Sequence, residues 1–120
     1  MDHDPRFLEG VEAFNRGDFY ASHDHWEALW LERFGEEKSF LQGLILSAVA
    51  LHHYGRGNFG GARSRFRLAL ARFEGYPDRY WDVDLKNFIR RMNGVMHKVL
   101  TEAAPPPLDV AKVPRLKLQS

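Results

Sequence analysis

The sequence predicts an all-α fold: a single compact bundle of about five helices with an extended C-terminal tail. Three observations predict it. Apolar residues recur at spacings of three and four through most of the first 103 positions. Turn residues carrying Gly, Asp or Asn interrupt that rhythm between successive stretches. Prolines at 105 to 107 and 114 then exclude a helix from the C-terminal segment. The expected division is a helical bundle domain over 1–103 and a Pro-rich extended tail over 104–120.

A first helix is expected from Asp4-Pro5, an N-cap followed by the one helical position that tolerates proline. Phe7, Leu8, Val11 and Phe14 form its apolar stripe, and Gly17 in "NRGD" supplies a left-handed stop. The second helix is expected over about 19–33, ending before Gly35. The third, about 37–54, carries Leu41, Leu44, Ile45, Leu46, Ala48, Val49 and Leu51 around almost its whole circumference. A helix apolar on all sides is buried on all sides, so this one is expected at the centre. The fourth, about 59–74, has a stripe of Ala62, Phe66, Ala69, Leu70 and Phe73. After "GYPDRYW", whose Tyr76, Tyr80 and Trp81 are expected to plug a bundle end, Asp82 or Asp84 caps a fifth helix. Its seam is Leu85, Phe88, Met92, Val95 and Val99. The tail's Leu108, Val110, Val113, Leu116 and Leu118 suit a strap over a neighbouring surface or a second subunit.

Two turns read R-G-[DN]-F, and the segments around them align at an offset of 40 residues: "FNRGDFYASHDHWEALW" on "YGRGNFGGARSRFRLAL". Each joins two helices as a hairpin. Two copies fall short of the roughly three that a solenoid needs, so the echo implies a hairpin pseudo-repeat within one bundle.

The bulk composition excludes several classes. With 44% hydrophobic residues, nine Phe, four Tyr and three Trp, the 120-residue chain can build an ordinary core. It has no cysteine, which removes disulfides and thiolate metal sites and fits a reducing cytoplasm. "MDHDPRFLEG" lacks the basic-then-apolar order of a signal peptide, and no apolar run reaches the roughly 18 residues of a membrane span. A cytoplasmic protein with no membrane association is therefore expected. The net charge of +1 conceals ten acids against four bases in residues 1–54 and a basic remainder. Arg63, Arg65, Arg67 and Arg72 spread around the fourth helix without interleaved exposed aromatics. They read as a solvated face, and nucleic acid is not expected as a partner. His3 and His97 read as surface residues.

The stretch "FYASHDHWEALW" holds the candidate site. On a helical wheel with His23 at zero, Phe19, Trp26, Trp30 and Phe34 fall within about 60° of it, and Glu27 at about 40°. His23 and Glu27 are thus expected on a buried face, one turn apart, with His25 and Glu32 in solvent and Asp24 on the flank. The following helix can supply His53, with Gln42 or His52, as partners. Beside a purely structural hydrogen bond, such a set has two chemistries: metal or small-ligand binding, and general acid/base work without a metal. His23, Glu27 and His53 could hold a divalent metal ion with an open position, or the polar set could bind a small ligand. The spacing is neither H-E-x-x-H nor the Glu-x-x-His of di-iron bundles. No Ser or Cys nucleophile motif accompanies it, so the sequence assigns no enzymatic reaction.

The segments "FNRGDFYASHDHWEALW", "FLQGLILSAVALHH" and "RGNFGGA" together resemble domain of unknown function 309, a family of small helical bacterial and archaeal proteins. The resemblance covers about residues 7–73. It implies an all-α bundle, with family positions matching His23, Trp26, Glu27, Gln42 and His53, and it supplies no activity. The chain departs from that pattern with Ala21-Ser22 in place of Glu-Ala and Asp24 in place of Glu. Two functional expectations result: a small protein with a buried His/Glu site for a metal ion or small ligand, or a helical-hairpin interaction or dimerisation module in which the pair is structural. The corresponding partner is a second copy or another protein.

Overall fold

The computed structural model describes residues 1–119. Five helices form the bundle: α1 (Pro5–Asn15), α2 (Phe19–Trp30), α3 (Gly35–Gly55), α4 (Phe59–Phe73) and α5 (Leu85–Thr101). A two-stranded antiparallel hairpin, β1 (Arg79–Tyr80) and β2 (Val83–Asp84), precedes α5. One 3₁₀ turn, Val110–Lys112, lies in the tail.

The helix starts follow their caps. Asp4 accepts from Arg6 N–H with Pro5 opening α1, and Asp84 accepts from Asn87 N–H at the head of α5. The two R-G-[DN]-F turns are the same structure. Arg16 and Arg56 end their helices at nearly equal dihedrals, −91°/4° and −95°/3°. Gly17 and Gly57 then take left-handed φ values of 85° and 77°, a conformation in which a Cβ is strained. Asp18 and Asn58 cap the next helices, accepting from Ala21 N–H at 3.1 Å and Gly61 N–H at 3.0 Å. The hairpin pseudo-repeat is therefore a repeat of capping geometry.

Helix α3 is central, as its all-round apolarity requires. It packs against both α2 and α4, while α1 packs on α2. Phe40, Leu41, Leu44, Ile45, Ala48, Ala50 and Leu51 are buried along it. The largest buried side chain, Trp26, sits on α1: its indole N–H donates to Phe7 C=O at 3.2 Å. A Cβ on Gly10 would come within 2.2 Å of that indole nitrogen, so the α1–α2 contact requires glycine there. The acidic end of α1 is tied to the end of α2 through Arg6, which bonds Asp4 at 2.9 Å and also Glu32. Those bonds hold Asp4 down at about 2 and lower Glu32 from its ordinary value.

Several expectations are corrected. Helix α2 stops at Trp30 rather than near 33, because Glu32 and Arg33 close tight turns onto Leu29 and Trp30 carbonyls at 3.1 and 3.2 Å. Phe34 is then no part of the α2 stripe. It caps α3 in extended conformation and is 85% exposed. His3 is not a surface residue: its side chain is 7% exposed, lies 5.0 Å from the Phe7 ring and meets Asp82 at 2.9 Å. That contact braces the hairpin turn, whose central residues Trp81 and Asp82 both have positive φ, 49° and 62°. Tyr76, Tyr80 and Trp81 do close one end of the bundle, gathered around Phe40 at ring distances of 6.1, 4.8 and 5.7 Å.

The tail lies back over its own bundle. Tyr54 O–H donates to Pro106 C=O at 3.0 Å, and Val113, Pro114 and Leu116 are buried. The Asn15 side chain clamps the Leu116 peptide on both sides, donating to its C=O at 2.8 Å and accepting from its N–H at 2.7 Å. On α4, Arg63 reaches across to Val99 and Glu102 carbonyls at the end of α5, at 2.6 and 3.3 Å. Arg65, Arg67 and Arg72 are exposed. Among the described residues no helix is long and apolar enough to cross a membrane.

Candidate functional site

The residues buried on α2 are Phe19, Ser22, Trp26 and Leu29. Their mean direction lies about 80° from His23 at 100° per residue. Removing Phe34 from the stripe and adding Ser22 and Leu29 rotates the buried sector away from His23 and Glu27. The expectation of a buried pair is therefore corrected. The His23 side chain is 21% exposed and that of Glu27 is 51% exposed.

The two do meet. His23 Nε2 lies 3.0 Å from Glu27 Oε2, an i,i+4 pair on the rim of α2. The other ring nitrogen, Nδ1, lies 3.3 Å from both Tyr20 C=O and Asp24 Oδ1. Every polar neighbour of this ring is an acceptor, so a ring N–H on either side finds a partner to donate to. That arrangement suits a hydrogen-bonded brace. A metal ion would take the lone pair of the nitrogen without the proton, on a side where an acceptor oxygen already stands within 3.0–3.3 Å.

The α3 histidine that joins this neighbourhood is His52. The Tyr20 ring stands between them, 5.4 Å from His23 and 5.3 Å from His52. His52 is held below its ordinary value by burial, then by the positive charge of Arg56, with His53 and His23 adding to the same direction. His53 turns towards α4: its Nδ1 meets the Asn58 amide at 3.3 Å, and its ring packs where a Cβ on Gly61 would sit 3.0 Å away. Gln42 is half-buried and lies eleven residues before His53, about 16 Å along the helix axis, so one small ion cannot touch both. Among the described residues no group of three or more His, Cys, Asp or Glu side chains is placed to hold a metal ion.

Ser22 and Trp30 flank the pair; the wheel places Trp30 on the buried face and does not single out Ser22. Ser22 is fully buried with no partner for its hydroxyl, and the buried indole N–H of Trp30 also lacks an acceptor. The Trp30 ring carries Lys38 Nζ at 4.2 Å over its face. Next to it, Leu31 and Phe34 are 66% and 85% exposed, forming an apolar corner at the α2–α3 turn. The signal for that corner was present: two large apolar residues, 31 and 34, bracket Glu32-Arg33 just before a glycine.

The fold and rim geometry define a class, small all-α bundles of paired helical hairpins with a polar brace on the second helix. Within it, residues 7–64, the region that holds the three motif stretches, match the family described as Domain of unknown function (DUF309). An "Uncharacterized protein" of Aquifex aeolicus (strain VF5) is similar, 35% identical over 78 residues. The match covers 64% of this chain and 23% of the relative, so the shared part spans less than a quarter of that protein's length.

Proposed function

We propose that the chain is a helical-hairpin interaction module that pairs with a second copy of itself through the α2–α3 corner. The carrying observation is Phe34, a phenylalanine 85% exposed at the head of α3, with Leu31, 66% exposed, close before it in the chain. Covering such side chains removes apolar surface from water at roughly 25 cal/mol per Å², and a two-fold contact places the same corner on both sides of the interface. His23 and Glu27 then brace the outer face of α2. The Aquifex relative supports a modular role, since there the matching segment is one part of a much longer chain. Sedimentation of the full chain over a range of concentrations tests the reading against a Phe34→Ser variant. Self-association of the wild type that the variant lacks supports it, and identical sedimentation contradicts it.

A second reading keeps the pair as a ligand site. It rests on the convergence of His23, Glu27, Tyr20 and His52 on one rim, and takes a divalent metal ion or a small polar ligand. Elemental analysis of untagged protein before and after chelation decides the metal form. A stoichiometric metal lost in His23→Ala supports it, and none in the wild type contradicts it.

A further inference from the structure

We propose that the cleft between the head of α5 and the C-terminal strap binds a small anion bearing more than one phosphate group. The cleft encloses about 270 Å³. With a water's share of liquid volume at about 30 Å³, that is room for more than a single phosphate. Its walls carry Arg91 from α5 and Arg115 and Lys117 from the strap, over a floor that includes Phe88. All three cations are exposed, and among the described residues none lies in an ion pair. One acid lines the cleft, Asp84, and its Oδ1 is engaged as the α5 cap, accepting from Asn87 N–H at 3.1 Å. Asn87 also lines it. Its side-chain oxygen accepts from Arg90 at 2.6 Å, which leaves its NH₂ free to donate.

The strap holds its cations by construction. Asn15 fixes the Leu116 peptide through both of its polar groups, and the Leu116 side chain is buried, 3% exposed. Side chains alternate along an extended backbone, so anchoring Leu116 leaves Arg115 and Lys117 on one shared side of the strap, where both line the cleft. Guanidinium forks match phosphate oxygens in pairs and an ammonium adds a point charge. Three cations lining one cleft without carboxylate partners favour a multiply charged anion over a monocarboxylate. Inorganic pyrophosphate and a phosphorylated small molecule share this chemistry.

Isothermal titration of the full chain with pyrophosphate and with tripolyphosphate tests the site. Saturable one-site binding is expected, weakened about tenfold or more in an Arg115→Ala/Lys117→Ala variant and likewise in Arg91→Gln. These are surface side chains, so both variants keep the fold, which circular dichroism verifies. An Arg65→Ala/Arg67→Ala variant removes the same charge from α4 and is expected to bind as the wild type does. Absence of saturable binding by the wild type, or equal weakening in the α4 variant, would overturn the proposal. Tighter binding of a single-stranded oligonucleotide than of either phosphate would overturn it too, since the occupant would then be a nucleic-acid backbone. A phosphorylated metabolite that displaces pyrophosphate at lower concentration identifies the organic source.

Discussion

Two side chains on α2 decide between a buried site and a surface brace. Glu27 is half in water, so its bond to His23 is an exposed i,i+4 pair, a class that contributes about 0.3–0.5 kcal/mol. Glu27→Gln is expected to lower stability by no more than that, with the difference shrinking as salt is added, measured by urea unfolding. A buried lock would cost several times more and be indifferent to salt. His52 behaves differently because burial and Arg56 hold it below its ordinary 6.5. A depressed value means that the folded state disfavours the charged ring. The associated stability is full above 6.5 and is lost as the pH falls below 6.5 through the folded value. The melting temperature is expected to fall over that window, and His52→Gln to flatten the fall; the same slope in both proteins would assign it to other groups. The pairing of His23 with Glu27 was legible from i,i+4 spacing alone. Its exposure was not, because the wheel gave Phe34 the same helix as Trp30, and a tight turn at Glu32-Arg33 breaks that helix first.

At the scale of elements, the turns were the most readable feature. R-G-[DN]-F encodes a helix end, a left-handed glycine and an N-cap in four residues, and the structure repeats all three at Gly17 and Gly57. Gly57 has no neighbour within 4 Å of an added Cβ, so Gly57→Ala isolates the backbone cost, about 1–2 kcal/mol. Gly17→Ala is expected to cost more, because its Cβ would meet Val110 of the tail at 3.1 Å. Paired denaturation curves check the ordering, and equal losses would show that the tail does not press on this turn. The β1–β2 hairpin was not legible. Its turn uses Trp81-Asp82, where an Asn-Gly or Asp-Gly pair would announce positive φ. Tertiary contacts hold it instead: His3 on Asp82, and Trp81 edge-on to Phe7 at 5.3 Å. The tail's extended course followed from its prolines, whereas the Asn15 clamp joins residues 101 positions apart and leaves no local pattern to read.

Across the whole molecule, the central α3 and the five-helix order follow from apolar periodicity, and long-range polar contacts add the features that periodicity omits. The tail, the His3–Asp82 contact and the Arg63 bonds to the end of α5 fasten the periphery, while the α2–α3 corner projects Leu31 and Phe34 without cover. Self-pairing through that corner is the central claim, and sedimentation equilibrium of the full chain beside Phe34→Ser tests it most directly. A concentration-dependent rise from monomer to dimer in the wild type, absent in the variant, is the expected result. A wild type that stays monomeric at every concentration, or a variant that dimerises equally, would contradict it.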